Sequence, residues 1–330
     1  MENNTGKLRI GVSGVGSIGF RHARLLSQRN DAELFLCDTT RLHLDAAAKL
    51  PNLSKSFELY DELLKCDLDG LIISTPDQFH IDQAENALRK GVPVLVEKPL
   101  AETPAQGEIL FRCASETDVQ VLVGYPLRYN AAFLKGKEII DDGLIGQPVS
   151  FHVMLGAYNT LVAAKNRFNP SNRNKLFFDY SHEWDYIIWF LGKVQKVAAI
   201  SHQSGELERT QNPNVVNSIL EMKSGISGTA HLDYVQAPGA REFTIIGDKG
   251  RLVIDAVLGK VVVNIYQEEF ERVFMTVEHF DLMMTRQHDH FFEVIRGDSL
   301  PKVTIEDGLN ALRVADAMVV ASETGTWIET

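Results

Sequence analysis

Cysteine is scarce in this chain of 330 residues: Cys37, Cys66 and Cys113 are the only three, with no CxxC pair and no histidine at ligand spacing. That argues against a disulfide framework and a cysteine-built zinc site, and leaves free thiols in a reducing compartment. Long hydrophobic runs are also lacking. No apolar stretch approaches the roughly 20 residues that cross a bilayer, so no membrane partner is expected. Basic charge is in deficit, 33 Lys and Arg against 44 Asp and Glu for a net charge of −11. These charges are scattered, and without a concentrated basic face a nucleic-acid partner is not expected. Residues 1–7 are polar and carry no apolar stretch of a signal peptide, which makes the cytoplasm the expected location. His288 and His290 are two apart on a predicted helix and point in different directions, so no metal site is expected there.

What is present suits a folded enzyme-sized chain. Hydrophobic residues make up 45% and charged residues 23%, enough apolar material for a core, and the length suits two domains. From Leu8 to Tyr125, short apolar runs alternate with amphipathic stretches, the pattern of βαβ units and a parallel sheet. Strands are predicted at Leu8–Val15, Ala32–Cys37, Gly70–Ser74, Val92–Val96 and Val119–Val123, and helices at Ile18–Arg29, Ile81–Lys90 and Pro104–Thr117. After Tyr125 the predicted strands are longer and joined by tight turns: Val215–Met222, Ser227–Val235, Arg241–Ile246, Gly250–Ile254 and Lys260–Tyr266. Helices at Gln287–Arg296 and about Glu306–Glu323 close the chain, the second behind a capping-box-like Thr304-x-x-Asp307. The expected fold is α/β: a Rossmann doubly wound parallel sheet over 1–124, then over 125–330 an α+β domain with an open-faced, mostly antiparallel sheet and a cleft at the domain boundary. The last helix is expected to pack back toward the first domain.

Gly14-Val15-Gly16-Ser17-Ile18-Gly19 is GxGxxG directly after a strand and opening a helix, so its amides and the helix dipole can receive a pyrophosphate. Asp38 ends the second strand nineteen residues after Gly19, where a carboxylate accepts from adenosine ribose hydroxyls. A 2′-phosphate there meets like charge, which favours NAD over NADP; Arg41 is read as a solvated helix residue. Ligands of open α/β sheets bind at the C-terminal ends of the strands. Two later loops lie on that edge, Ser74-Thr75-Pro76-Asp77-Gln78-Phe79-His80 and Glu97-Lys98-Pro99-Leu100. Ser74, Thr75, Pro76, His80, Glu97 and Lys98 are therefore candidate cofactor-binding residues beside Gly14, Gly16, Ser17, Ile18, Gly19 and Asp38.

Further along, Trp184, Ile187, Ile188 and Leu191 fall at i, i+3, i+4 and i+7 and predict a helix with one buried stripe. A helix already including Asp179 gathers Asp179, His182 and Tyr186 on the opposite face, turned toward the cleft. Oxidising a carbinol needs a base for the hydroxyl proton and positive charge where the alkoxide develops. His182 and Lys98 fit those roles, in either assignment. A helix N-terminus disfavours an imidazolium and keeps His182 able to accept a proton. Asp179, Glu183 or Asp185 can orient the ring. Arg128, Tyr158, Asn166, Arg173 and Tyr186 are candidate substrate contacts.

In chain order, GVGSIG (14–19), STPDQFH (74–80), VEKPLA (96–101), GYPLRY (124–129), GLIGQP (143–148) and DYSHEWD (179–185) resemble the Gfo/Idh/MocA oxidoreductase family, named for glucose-fructose oxidoreductase and inositol dehydrogenase. A closing segment from Glu306 to Gly325 resembles that family's C-terminal helix. The resemblance implies NAD(P) chemistry on sugars or cyclitols, assembly as a homodimer or homotetramer through the C-terminal sheet, and catalytic roles for Lys98, His182 and Asp179. Two positions depart from the common pattern. Asp179-Tyr180-Ser181-His182 stands where many relatives have Asp-x-Gly-x-His, and Asn130-Ala131 stands in place of His-Pro. Two other functions share these motifs: a non-catalytic sugar- or nucleotide-sensing homologue, and an NAD-dependent glycosidase working by transient oxidation and elimination.

Overall fold

A computed structural model describes residues 6–158, 174–205 and 213–330. The chain divides into two compact units, Met1–Pro126 with Phe280–Leu309, and Leu127–His279 with Asn310–Thr330. The domain boundary expected at residue 124 thus stands beside a division at Pro126 in which Phe280–Leu309 counts with the first unit.

The first unit is built on β1 (Leu8–Ser13), β2 (Ala32–Cys37), β3 (Leu53–Phe57), β4 (Gly70–Ile73), β5 (Val94–Glu97) and β6 (Val121–Gly124). All neighbours pair in parallel, in the order β3-β2-β1-β4-β5-β6. Strands β4, β5 and β6 are buried at every residue. This accounts for their continuous apolar runs: a parallel strand covered on both faces has no solvent side to fill with polar residues. Around the sheet run α1 (Ser17–Ser27), α2 (Arg41–Ala47), α3 (Tyr60–Leu63), α4 (His80–Leu88) and α5 (Pro104–Thr117). Thr103 and Gln106 close a capping box on α5, with Pro104 in its first turn. The strand order reverses between β1 and β4, and the crevice outside the strand ends at that switch point is where open α/β sheets bind ligands.

In the second unit, β7 (Pro148–Gly156), β8 (Val194–His202), β9 (Val215–Met222), β10 (Ser227–Asp233), β11 (Ala240–Gly247), β12 (Gly250–Asp255), β13 (Lys260–Ile265), β14 (Arg272–Met275) and β15 (Ile328–Glu329) form one sheet in the order β14-β13-β12-β11-β7-β10-β9-β8-β15. Its pairs are antiparallel except β7 with β10. Strand β10 alternates exposed and buried residues over most of its length, as a one-sided sheet requires. On the covered face Phe243 meets Phe151 of the sheet and, from the helices over it, Tyr186 and Phe190, which both meet Phe133. The last three come from α6 (Ala131–Asp141) and from the helix that carries His182. At Gly136 a Cβ would overlap Ile254, so glycine sets how near α6 lies to the sheet.

The helix beginning at Phe280, α9 (Phe280–Arg296), starts earlier than its apolar periodicity suggests. It covers β4 at Gly70, where a Cβ would lie 2.5 Å from Ile295 Cδ1. The last helix, α10 (Ile305–Thr324), begins behind the Thr304–Asp307 box, in which Thr304 Oγ1 accepts from the Asp307 amide at 3.2 Å and Asp307 Oδ2 accepts from the Thr304 amide at 2.8 Å. No helix among the described residues is long and apolar enough to cross a membrane.

Candidate active site

In the first unit the three glycines of the turn have three different reasons to be glycine. Gly14 has φ +82°, and a Cβ there would lie 2.6 Å from the Thr75 amide nitrogen. A Cβ on Gly19 would overlap the Gly14 carbonyl oxygen, so this glycine lets helix α1 sit on the turn. Gly16, the N-cap of α1, has nothing within 4 Å of a Cβ. Its backbone faces open space, with the orphan amides of the first helical turn beside it. Ser17 is exposed and Ile18 half-buried at that helix start. Ser74 Oγ donates to the Gly14 carbonyl at 2.8 Å and holds the β4 loop to the turn.

Asp38 is fixed from several sides. Its Oδ2 accepts from the Val15 amide at 2.7 Å and stands 3.0 Å from His43 Nδ1, while Oδ1 accepts from the Thr40 amide at 2.7 Å. Burial pushes its pKa up, but the bonds from Thr40, Val15 and His43 outweigh that and hold it below the ordinary carboxylate value. A cavity of about 440 Å³ opens here, lined by Gly14, Gly16, Asp38, Ser74, Thr75 and Pro76 among others. Six of the twelve cofactor-binding residues expected from sequence thus line one cavity. Arg41 is exposed and pairs with Asp45 and Glu58, at 3.0 and 3.3 Å. The donor set fits a nicotinamide dinucleotide: open glycine backbone and helix amides for phosphates, and an ionised carboxylate for a ribose.

Two of the expected cofactor contacts have their side chains engaged within the protein. His80 is buried, with Nδ1 3.0 Å from the Pro99 carbonyl and Nε2 2.9 Å from the Thr75 carbonyl. Both ring nitrogens face backbone carbonyls, so the ring ties the two loops together. Glu97 is also buried: Oε1 lies 3.0 Å from His22 Nε2, and Oε2 accepts from the Lys98 amide at 3.2 Å. Its carboxylate holds the backbone of Lys98. Lys98 itself is half-buried, and the bond between it and Pro99 is cis.

In the second unit the expected single helix is two. Helix α7 (Lys175–Asp179) ends at Asp179, Tyr180 breaks the helical dihedrals with φ −106° and ψ 33°, and α8 (Ser181–Leu191) begins at Ser181. Trp184 Nε1 donates to the Phe177 carbonyl at 2.9 Å and joins the two. Trp184, Ile187, Ile188 and Leu191 are buried as their spacing predicts. The rest of the helix is covered too, because Glu183, Asp185 and Tyr186 are buried as well; within α8 only His182 and Trp189 are half-buried. Asp179 lies on the other side of the break, and its Oδ2 accepts from the Tyr234 hydroxyl at 3.1 Å.

Tyr186 is fully buried, with ring centroids 4.7 Å from Phe133 and 5.0 Å from Phe243. Burial and Glu183 raise its pKa well above the phenol value, so it stays protonated inside the core and does not reach a substrate. Arg128 is buried too; its Nε and Nη2 grip Asp185, Nη2 at 2.7 Å from Oδ1, and its guanidinium lies over Trp189. That pair and the Glu183–Arg241 pair at 2.9 Å commit both other carboxylates of α8 to arginines. Asp179, the third carboxylate near His182 in sequence, accepts from the Tyr234 hydroxyl. Tyr158 is exposed, and Asn166 and Arg173 lie outside the described residues.

Two groupings escaped the sequence reading. His43, Tyr60 and Gln83 line the first-unit cavity, and only the five-residue step from Asp38 to His43 along the start of α2 hinted at it. The buried series Glu97–His22–His288 is joined by bonds of 3.0 and 2.7 Å across 266 positions of sequence. His22 one helical turn past Gly19 was its only local sign.

A doubly wound sheet whose first turn presents open glycine backbone, with an ionised carboxylate ending the second strand, defines a nicotinamide-dinucleotide oxidoreductase of the Rossmann class. The NAD-binding Rossmann fold of the Gfo/Idh/MocA oxidoreductase family matches residues 8–125, and that family's C-terminal alpha/beta domain matches residues 137–330. The chain belongs to this family. It is 26% identical over 328 residues to an inositol 2-dehydrogenase of Salmonella typhimurium, covering 96% of this chain and 95% of that one. It is 26% identical over 282 residues to a 1,5-anhydro-D-fructose reductase of Ensifer adhaerens, covering 83% of each. The apo scyllo-inositol dehydrogenase of Lactobacillus casei superposes with a TM-score of 0.84 at 23% identity over 98% of both chains.

Proposed function

We propose that this NAD-dependent dehydrogenase or reductase acts on a secondary alcohol or ketone of a sugar, sugar derivative or inositol, with Lys98, His182 and Asp179 as its catalytic residues. The observation that carries the reading is Asp38, an ionised carboxylate beside the open backbone of Gly16. The names of the relatives, a cyclitol dehydrogenase and a sugar reductase, support the substrate class. Bound NAD supplies the hydride acceptor. His182, in the first turn of α8, takes the hydroxyl proton, because the helix dipole favours its neutral form. The Lys98 ammonium, on a backbone held by Glu97, stabilises the alkoxide. Asp179 orients the imidazole. We further propose a homodimer or homotetramer formed through the open face of the second-unit sheet, and a cytoplasmic location suited to free thiols at Cys37, Cys66 and Cys113.

The test is a panel of polyols and sugars with NAD, read at the absorbance of the reduced nicotinamide, together with Lys98→Ala. The variant is expected to bind NAD as wild type does while turnover falls by about 10²–10⁴. Wild-type turnover in Lys98→Ala removes the lysine from the mechanism. Nucleotide binding with no reduced cofactor from any substrate marks a sensor, and release of sugar from a glycoside without net reduction marks the elimination chemistry.

A further inference from the structure

We propose that His43 is a second ligand of the adenosine ribose and sets the discrimination between a free 2′-hydroxyl and a 2′-phosphate. The inference rests on the reading of the first-unit cavity as the dinucleotide site.

A carboxylate offers about four lone-pair positions. Asp38 uses three of them within the protein, for the Val15 amide and His43 on Oδ2 and for the Thr40 amide on Oδ1. One position on Oδ1 is left, while a ribose presents two hydroxyls. His43 lines the same cavity, its side chain is 43% exposed, and its Nε2 makes no hydrogen bond among the described residues. With Nδ1–H donated to Asp38, Nε2 of the neutral ring is an acceptor. Asp38 Oδ1 and His43 Nε2 then make a pair of acceptors for two vicinal hydroxyls. When the ring is protonated, Nε2 becomes a charged donor, which suits a phosphate oxygen and offsets the repulsion from Asp38.

The other groups around the ring do not compete for this role. Arg41, on the same helix, is engaged by Asp45 and by Glu58 beyond β3. Cys37, at the end of β2, is pushed up to about 12 by burial and by the charges of Asp38 and Glu62, so it stays a neutral thiol. Tyr60, on α3, is raised by burial and donates its hydroxyl to the Gln83 carbonyl at 2.6 Å. Among the described residues no lysine or arginine lines the cavity. Of those that do line it, His43 is the one imidazole.

The experiment is calorimetric titration of the full chain with NAD and with NADP at about pH 8 and about pH 5.5. It compares wild type, His43→Leu and His43→Gln. In wild type the preference for NAD is expected to shrink by about tenfold on acidification. The 2′-phosphate titrates near pH 6 itself, but that contribution is common to all three proteins. Both variants are expected to lack the additional change, and His43→Gln, which keeps a polar end, is expected to retain more NAD affinity than His43→Leu. An equal change in the preference of all three proteins overturns the inference while leaving the cavity as the dinucleotide site. Failure of wild type to bind either nucleotide overturns the site reading itself.

Discussion

His22 Nε2 lies 3.0 Å from Glu97 Oε1, with the imidazole wholly buried and the carboxylate nearly so. The two residues come from α1, just beyond the glycine turn, and from the last position of β5. Through its other oxygen Glu97 accepts from the Lys98 amide, so a residue of the cofactor-binding helix is connected to the backbone of the proposed catalytic lysine. Removing His22 strips a buried carboxylate of one of its hydrogen-bond partners and leaves that oxygen desolvated. His22→Ala is therefore expected to cost about 3–5 kcal/mol in urea unfolding, and to lower kcat more than it weakens NAD binding. A variant as stable as wild type would mean that Glu97 has another partner or is protonated when folded.

The same series gives a pH dependence of stability. Burial, the neighbouring His22 and Arg29 all hold the pKa of His288 well below its ordinary value of 6.5. Below about pH 6.5 the unfolded chain takes up a proton at this residue while the folded chain does not. The contribution of His288 is complete above that pH and is lost as pH falls, at about 1.4 kcal/mol per unit. Urea unfolding of wild type and His288→Gln at about pH 7.5 and about pH 5.5 isolates it. The wild type is expected to lose more stability on acidification than the variant; parallel losses would show that His288 is protonated in the folded chain.

What could be read from sequence was what depends on neighbours in sequence. The GxGxxG turn and Asp38 were legible because their demands are local: a positive φ at Gly14, contact at Gly19, open backbone at Gly16, and a carboxylate ending a strand. Strands β4 to β6 were legible as short apolar runs because both their faces are buried. Strand β3 was not, since as an edge strand it exposes Ser54, Lys55 and Ser56 and has no apolar pattern to betray it. The break at Tyr180 carries neither glycine nor proline, and so Asp179 was placed on the helix of His182. Tyr186 follows its ring and not its hydroxyl, filling the space between Phe133 and Phe243, and one tyrosine in a sequence does not tell which of the two will decide. The Arg128–Asp185 and Glu183–Arg241 pairs form only once the chain has folded, and no spacing announces them.

The open face of the second-unit sheet leads to a prediction about assembly. It holds a shallow cavity of about 850 Å³ lined by Met154, Ile200 and Ile219 among others, and Ile200 is 70% exposed. Both histidines lining that cavity are already paired within the chain: His152 with Thr229 at 2.9 Å, and His231 with Asn217 at 2.8 Å and Asp233 at 3.0 Å. Covering them leaves few unmade hydrogen bonds, while the apolar residues gain from leaving water. A second copy of the chain is the expected cover, over about 800 Å² or more per partner. Light scattering should give a dimer or tetramer for wild type. Ile200→Glu combined with Ile219→Lys should give a monomer that still binds NAD, because the glycine turn and Asp38 belong to the other unit. A wild-type monomer at about ten micromolar, well above the dissociation constant of a stable interface of that size, would leave the open face without this role.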